Sequence, residues 1–341
     1  MTAAYHDGIT IAGEESRPQS LFERLLPVSF ALVYATLLTQ LPLDIFKDRA
    51  NYFTYIGYSD AILARYTAGG LLSTLANEPL WLFLNITLSR LLHPEDVMRV
   101  IIFAPAFLVA WQLMRRDPRH AIWMIAFLLS PQVVKNHIIH LRQGVALGVF
   151  VVGYFAGPKW LRFGLMAVAC FIHSSFLFIC VIGVGTWALD ELRFSPRARA
   201  AAVILCFVSM GILIEFFAGG LTNFAGGLGA RQAITYADAD VDISGLGFVF
   251  WAAMLLLFAS SGEEFLRQNM FAFSILAFYL AVYFLTSVSG RIFESGMFLV
   301  FLAGLALPGQ RRNVFLGAFI LFSAILYFMR LGDPWLGFGV W

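Results

Sequence analysis

The stretch KNHIIHLRQG combines cations, imidazoles and an amide directly before an apolar segment, in Lys135, His137, His140, Arg142 and Gln143. Arginine offers a planar fork of donors that suits phosphate, and lysine offers a point charge. Cations at helix ends also extend toward lipid headgroups without any binding role. That structural explanation suits the lysine and the arginine, but it explains the histidines and the glutamine less well.

The backbone around this stretch is predicted to be irregular, because Pro131 interrupts a helix and Gly144 permits close packing. In a regular helix Lys135 and Arg142 would lie about 10 Å apart along one side. A separation of that order suits a diphosphate and its neighbouring sugar. Phosphate binding and headgroup contact therefore both remain open for this stretch.

A second polar stretch is DIFKDRANYFTYIGYS, which includes the neighbouring cation Arg49. If the stretch is helical, Asp48, Tyr52, Tyr55 and Ser59 share one face. Aromatic faces pack on pyranose rings while polar tips bond hydroxyl groups, so this face is a candidate for sugar binding. The alternative is an interfacial aromatic belt, which enriches tyrosine at this depth for structural reasons.

Two ionisable side chains lie between or beside apolar runs, His173 in CFIHSSFLF and Arg291 in SGRIFESG. Such residues are costly in a membrane and tend to be functional. A neutral His173 could accept a proton from a sugar hydroxyl or bond a helix carbonyl. Arg291 could bind an anion or pair with Glu294. Arg231, in the sequence ARQ, is a further candidate clamp.

Composition determines the class of protein, since 60% of the 341 residues are hydrophobic and only 13% are charged. A soluble domain of this length could not bury so much apolar surface, which predicts a polytopic membrane protein. A net charge of +2 and the lack of a basic tract argue against a nucleic-acid partner. No P-loop, HExxH, GxSxG or nucleotide fingerprint occurs, so neither a cofactor nor a metal is predicted.

About 20 apolar residues cross a membrane as a helix. We therefore predict an all-α fold of about 11 transmembrane helices, plus a re-entrant or interfacial segment at 79–93. The regions 44–78 and 218–245 are predicted to be non-helical. The expected organisation is an N-terminal tail (1–25), a single transmembrane domain (26–330) with outer-face loops at 44–96 and 218–245, and a C-terminal tail (331–341). The predicted spans are 26–43, 97–114, 120–139, 142–157, 160–173, 175–189, 198–217, 246–261, 268–288, 291–308 and 313–330.

Positive charge predicts sidedness, because Lys and Arg concentrate in cytoplasmic loops. A cytoplasmic N-terminus and a turn at His173-Ser174 place inside the five basic loops 115–120, 157–162, 191–199, 262–267 and 309–313. The same assignment brings Asp48, Glu78, Arg142 and Arg291 to the outer face. A single long helix at 160–189 would reverse every later loop, so we disfavour it.

Five short motifs follow one another in an order similar to that in the EpsG family of Wzy-like polymerases: DRANYFTYI, EPLWLFLN, LRQGVALGVF, FIHSSFLF and SGRIFESG. The chain resembles this family from about Asp44 to Ile292. The family acts in bacterial exopolysaccharide and O-antigen pathways. An architecture related to the GT-C type of membrane glycosyltransferase is a further expectation.

The resemblance implies that the substrates are glycans on undecaprenyl diphosphate at the outer face of the bacterial cytoplasmic membrane. Arg142 and Arg291 match motif positions that would neutralise the leaving diphosphate. His173 or Asp48 would be the base on the acceptor hydroxyl, and we favour His173. The predicted substrate-binding residues are Arg49, Tyr52, Tyr55, Glu78, Lys135, His140, Gln143 and Arg231.

Two other functions remain open at this point. A ligase that moves a whole glycan from the same lipid would share the donor and its chemistry. A flippase for lipid-linked glycans would show internal repeats and polar residues at mid-membrane, neither of which is evident. The expected partners are membrane lipids, the lipid-linked oligosaccharide and pathway proteins such as a chain-length regulator.

Overall fold

The computed structural model describes residues 21–116, 118–227 and 245–340. These residues are helical except for turns, two short 3₁₀ segments and one isolated bridge between Phe46 and Gly339, which confirms the predicted all-α class. The α-helices are α1 (Leu21–Thr39), α2 (Arg49–Ala68), α3 (Leu71–Ala76), α4 (Pro79–Ser89), α5 (Pro94–Arg116), α6 (Ala121–Leu128), α7 (Pro131–Ile138), α8 (Leu141–Tyr154), α9 (Lys159–Ile172), α10 (Ser175–Glu191), α11 (Pro196–Gly227), α12 (Gly245–Ala259), α13 (Glu263–Val282), α14 (Ser289–Leu305) and α15 (Gln310–Phe328).

The apolar helices indicate a membrane protein. Among the described residues, three segments are long and apolar enough to cross a bilayer, namely Pro94–Arg116, Pro196–Leu213 and Gln310–Phe328. On α10, Leu177, Val181 and Val184 are all more than half exposed at the spacing of one helix face. Hydrocarbon, unlike water, solvates such a stripe at no cost. The predicted number of 11 spans remains a prediction.

The described residues divide into two compact units. The first unit comprises residues 21–178, 219–227 and 323–340, and the second comprises 179–218 and 245–322. The core of the first unit is built by α2, α4, α5 and α8, whose buried aromatic and aliphatic side chains pack into one cluster. Tyr55, Trp81 and Leu82 of this cluster line the site described below.

The prediction of a non-helical 44–78 was wrong, because α2 and α3 fill most of it. The prediction of a non-helical 218–245 was also wrong over 218–227, where α11 continues to Gly227, and 228–244 lie outside the described residues. Few of the residues of α2 are aliphatic, which hides the helix from a search for apolar segments. Its buried side instead consists largely of tyrosines, with Tyr52, Tyr55, Ile56, Ser59 and Tyr66 at helical spacing. Helix α4 follows with only 11 residues, a rise of about 16 Å, which is about half the hydrocarbon thickness.

The predicted span at 120–139 is two helices, α6 and α7, which meet at Pro131. Proline has no N–H to continue the hydrogen-bonding ladder, so carbonyl groups at the end of α6 need other donors. The Tyr34 hydroxyl donates to the Leu128 carbonyl at 2.9 Å, and the Tyr327 hydroxyl donates to the Leu129 carbonyl at 2.7 Å.

Two turns confirm the irregularities expected from the sequence. Helix α9 ends at Ile172 and α10 begins at Ser175, which confirms the turn at His173-Ser174 and excludes a single helix over 160–189. Helix α7 ends at Ile138 and α8 begins at Leu141, so the regular spacing of Lys135 and Arg142 does not apply.

Gly144 allows the turn between α7 and α8 to close. A Cβ atom at this position would lie 2.2 Å from the Asn136 carbonyl oxygen and 3.5 Å from the His137 ring. The first contact is with backbone, which cannot rotate away as a side chain can. Arg142 lies two residues earlier, in the first turn of the same helix.

Replacing Gly144 with Ala should therefore destabilise the protein by about 1–3 kcal/mol, the usual cost of overpacking. Gly164→Ala is the matched control, since Gly164 is an exposed helical glycine with nothing within 4 Å of an added Cβ. Thermal unfolding in detergent measures both variants. Equal stability of the two would contradict the close packing at Gly144.

Candidate active site

A buried carboxylate, Glu78, lies at the junction of α3 and α4. Its backbone adopts the left-handed conformation with φ 56°, and Pro79 begins α4 directly after it. A non-glycine residue with this φ carries strain that the surrounding structure must offset. The residue is only 4% exposed, so the carboxylate needs partners within the protein.

Three donors from two other parts of the chain meet on Glu78. Arg142, in the first turn of α8, donates from Nη1 to Oε2 at 2.5 Å. His173, in the turn between α9 and α10, places Nδ1 2.6 Å from Oε1. The Ser174 backbone N–H donates to the same Oε1 at 3.2 Å. We refer to Glu78, Arg142 and His173 as the site triad.

The partners of Glu78 keep it ionised. Burial alone would raise its pKa, but the charge of Arg142 and the hydrogen bonds from His173 and Ser174 outweigh burial and lower the pKa well below its usual range. An ionised carboxylate only accepts hydrogen bonds, so the Nδ1 atom of His173 carries the proton between them. In neutral His173, the basic nitrogen is therefore Nε2.

Aromatic rings surround the triad on the side of α2 and α4. The Arg142 guanidinium lies 5.4 Å from the centre of the Tyr55 ring, in cation–π geometry. Tyr52 and Tyr55 both stand edge-on to Trp81, with ring centres 5.8 and 6.1 Å away. A small pocket opens here, lined by Tyr55, Tyr66, Asn77, Glu78, Trp81 and Arg142 among others.

The prediction that Asp48, Tyr52, Tyr55 and Ser59 share one helix face is confirmed only in part. Tyr52, Tyr55 and Ser59 are all buried on one side of the helix. Asp48 precedes the helix, is exposed, has φ 64° and contacts Asn51, whose Nδ2 lies 3.5 Å from Oδ1. Its charge raises the pKa of Tyr52, although less than burial does. Asp48 therefore lies at the edge of this region rather than among the partners of Glu78.

Arg49 is a buried cation for which the described residues offer no carboxylate. It is 3% exposed, its Nη1 donates to the Met98 sulfur at 3.4 Å, and its guanidinium lies 5.5 Å from the centre of the Phe46 ring. Burial lowers its pKa to about 10, against a smaller opposite effect of Tyr52. Tyr52 is thus within electrostatic reach of Arg49, and also of Arg142.

The other predicted residues occupy different surroundings. Gln143 is fully buried and Lys135 and His140 are partly buried, all three near the turn that leads into α8. His137 is completely buried, with its ring at right angles to that of Tyr34. Binding roles for Gln143, Lys135 and His140 remain predictions.

Arg291 lies in the second unit, where it is partly buried in the first turn of α14. Its carbonyl accepts a hydrogen bond from the Ser295 hydroxyl at 3.0 Å. Arg231 lies outside the described residues, so the structure gives no account of it. The roles predicted for both arginines remain predictions.

Sequence reasoning missed two contributors to the site. Trp81 is 1% exposed and lies two residues after Pro79. Its ring contacts those of Tyr52 and Tyr55 in α2, and it lines the pocket together with Glu78 and Arg142. The Ser174 N–H had no signal of its own, because any residue could supply that donor. Glu78 itself was expected to touch substrate, whereas its carboxylate is occupied by protein donors.

Replacing Glu78 with Gln should destabilise the protein by about 3–5 kcal/mol, because the charge of Arg142 then remains buried without its partner. The double variant Glu78→Gln/Arg142→Gln should regain part of that loss, since it removes both charges. Glu264→Gln is the control, because Glu264 pairs with Arg267 on an exposed surface and should leave stability unchanged. Additive effects in the double variant would show that the two side chains are not coupled.

The contribution of Glu78 to stability should change with pH in a defined direction. Since folding lowers the pKa of Glu78, its stabilising contribution is complete above its unfolded pKa of about 4.3 and is lost as the pH falls below that value. The stability difference between wild type and Glu78→Gln should therefore be constant near neutral pH and shrink below about pH 4. A difference that persists undiminished in acid would show that Glu78 is not ionised in the folded protein.

Comparison with known proteins gives one match. The family model of the EpsG family matches residues 29–333, which is most of the chain. No curated protein and no solved structure matches the chain. The matched region includes all three residues of the site triad, as well as Trp81 and Arg49. On this match, the chain belongs to the EpsG family.

Proposed function

We propose that the protein is a membrane glycosyltransferase that polymerises exopolysaccharide or O-antigen repeat units. The donor is a growing glycan on undecaprenyl diphosphate, and the acceptor is a second lipid-linked repeat unit. The reaction takes place at the outer face of the bacterial cytoplasmic membrane, with the N-terminus in the cytoplasm. The observation that carries this proposal is the buried Glu78 carboxylate, which holds an arginine and a histidine together in one small site.

In the proposed reaction, the acceptor hydroxyl oxygen attacks the anomeric carbon of the donor sugar. A new C–O bond forms, the bond from that carbon to the diphosphate oxygen breaks, and undecaprenyl diphosphate leaves with the bonding electron pair. The proton of the acceptor hydroxyl passes to Nε2 of His173. Glu78 supports this transfer because it fixes Nδ1 as the protonated nitrogen and orients the ring.

The charge of the triad suits this step. With neutral His173, the charges of Glu78 and Arg142 cancel. When His173 accepts a proton, the triad becomes positive at the moment when negative charge develops on the leaving diphosphate. A buried site strengthens this attraction, because little solvent screens it. His173 is a better base than Asp48, since Asp48 is exposed outside the triad.

The charge of Arg142 is compensated by Glu78 in the folded protein. Arg49 has no such carboxylate among the described residues, so it is the cation that remains for the diphosphate. Its guanidinium is buried with a sulfur atom and an aromatic ring as neighbours, an arrangement that is costly for a cation. A diphosphate oxygen would offset that cost. We therefore assign Arg49 to the anionic part of the donor, in addition to Arg142. The role of Arg291 remains a prediction from the sequence.

A ligase using the same donor and a flippase for lipid-linked glycans are the other functions considered. Incubation of purified protein with lipid-linked repeat units alone separates the polymerase from both. A polymerase gives a ladder of glycan sizes without added nucleotide, whereas a ligase needs a different acceptor and a flippase gives no new glycosidic bond.

His173→Gln should abolish the ladder while the protein remains folded, because glutamine can still donate to Glu78 but cannot accept the proton. His93→Gln is the matched control, since His93 is exposed between α4 and α5. Gel analysis of the glycan, with thermal unfolding of each variant, measures both effects. A ladder from folded His173→Gln at the wild-type rate would exclude His173 as the base.

Arg49→Met should stabilise the protein or leave its stability unchanged, since it removes a buried charge that folding disfavours. The same change should reduce polymerisation at least tenfold, because one cation that faces the diphosphate is lost. Arg90→Met is the control, since Arg90 is an exposed arginine near Asp60. A stable Arg49→Met protein with full activity would remove Arg49 from the site.

A further inference from the structure

The segment 334–340, which we call the strap, folds back onto the connection between α1 and α2. The Lys47 N–H donates to the Phe338 carbonyl at 3.1 Å, and the Val340 N–H donates to the Ile45 carbonyl at 2.9 Å. These two bonds flank the isolated bridge of the described residues. The strap and the connection both belong to the first unit, and the strap lies outside the region that the family model matches.

The strap holds the Phe46 ring against the guanidinium of Arg49. Phe46 is 2% exposed, and its ring centre lies 5.5 Å from the guanidinium and 5.7 Å from the centre of the Trp335 ring. The Arg49 N–H also donates to the Phe46 carbonyl at 3.4 Å. Arg49 is only 3% exposed, and its Nε atom is buried without a hydrogen-bond partner among the described residues. An anion can therefore reach this guanidinium only if a group that covers it moves.

The backbone of the strap carries strain that favours its release. Trp335 and Leu336 have left-handed φ angles of 50° and 56°, and Asp48 in the facing connection has φ 64°. Left-handed backbone at a non-glycine residue costs about as much as one backbone hydrogen bond contributes. The strain at Trp335 and Leu336 therefore offsets much of what the two backbone bonds contribute. Burial of Phe338, which is 6% exposed and packs with Phe46, is the main contribution left to hold the strap in place.

The other neighbours of Arg49 are held more firmly. Met98, whose sulfur accepts from Arg49, and Tyr52 both belong to the buried cluster built by α2, α4, α5 and α8. Moving either side chain would open that cluster, which is the core of the unit. The strap is held by two backbone bonds and one buried phenylalanine. Its movement is therefore the least costly way to uncover Arg49.

We propose that the strap is a lid over an anion site at Arg49, and that the diphosphate of a polyprenyl ligand binds when this lid opens. The inference rests on the proposed function, since that diphosphate is the leaving group of the donor. Opening releases Phe46 and gives a phosphate oxygen access to the Nε–H group, which then has an acceptor. Because the ligand binds the open state, binding favours opening by the same free energy by which opening favours binding.

Hydrogen exchange of the purified protein in lipid nanodiscs measures the opening of the lid directly. The probe is farnesyl diphosphate, a short polyprenyl diphosphate, and farnesol is the uncharged control. Saturating farnesyl diphosphate should accelerate exchange in the peptides that contain the Lys47 and Val340 amides by at least roughly threefold, whereas farnesol should leave it unchanged. The Arg49→Met variant should lose this response.

Val340→Pro removes the N–H that helps to close the lid, at a side chain that is 52% exposed. Equilibrium binding of farnesyl diphosphate should become roughly three- to tenfold tighter, because one hydrogen bond fewer favours the closed state. Val340→Ala is the matched control, since it keeps the N–H and should bind as the wild type does. Combining Val340→Pro with Arg49→Met should abolish the gain.

Phe338→Ala is a second variant that acts on the lid by a different route, because it removes the buried side chain. It should also tighten the binding of farnesyl diphosphate, by at least roughly tenfold. Phe328→Ala is its control, since Phe328 is 73% exposed at the end of α15. Thermal unfolding confirms that each variant is folded.

The outcomes distinguish the lid from the proposed function. Weaker or unchanged binding in folded Val340→Pro and Phe338→Ala would overturn the lid, because the strap would then support the site or lie outside it. Slower exchange at Lys47 and Val340 in the presence of farnesyl diphosphate would overturn it as well, and so would the failure of this probe to bind the wild type. A glycan ladder together with any of these results would leave the polymerase proposal intact. The expected lid response without a ladder would support the lid and overturn the polymerase.

Discussion

The structure of the first unit depends on one buried carboxylate. Glu78 is 4% exposed, and its stability in that position requires the cation of Arg142, the imidazole of His173 and the Ser174 amide. These donors lie 64 to 96 residues away from it along the chain. The carboxylate therefore ties together α4, α8 and the turn between α9 and α10. The same bonds that stabilise the fold also set the tautomer of His173.

This arrangement explains why local backbone irregularity recurs around the site. Glu78 has a left-handed φ, His173 is extended between two helices, and α8 begins after a break in the helix that precedes it. If the helices continued regularly through these positions, the side chains of Glu78, Arg142 and His173 would point in separate directions. Each irregularity has a local cause that the sequence shows, such as Pro79 after Glu78 and Gly144 after Arg142. The cost of the irregular backbone is offset by the ion pair and by the packing of Trp81.

The sequence predicted the class of fold and pointed to Glu78, Arg142 and His173 as candidate site residues. It did not predict how these three side chains contact one another. Charged residues in apolar surroundings are so costly that Arg142 and His173 stood out by type alone. Glu78 was found through its motif, yet its function as the common partner depends on contacts between distant segments. Helix α2 escaped prediction because its buried face is built from tyrosines, which are also expected at a membrane interface. Periodicity cannot separate these two environments, and only tertiary packing decides between them.

The pairing of Arg142 with Glu78 changes what an arginine in this site can do. From the sequence, Arg142 was a free cation that would neutralise a diphosphate. In the structure its charge is already compensated by Glu78. In the proposed reaction, Arg142 therefore contributes most when His173 becomes protonated and the triad gains a positive charge. Arg49 has no such carboxylate among the described residues and is buried at the cost of its solvation. In the proposed reaction, the unmatched Arg49 therefore attracts the diphosphate from the start, and Arg142 adds to that attraction only as His173 takes up the proton.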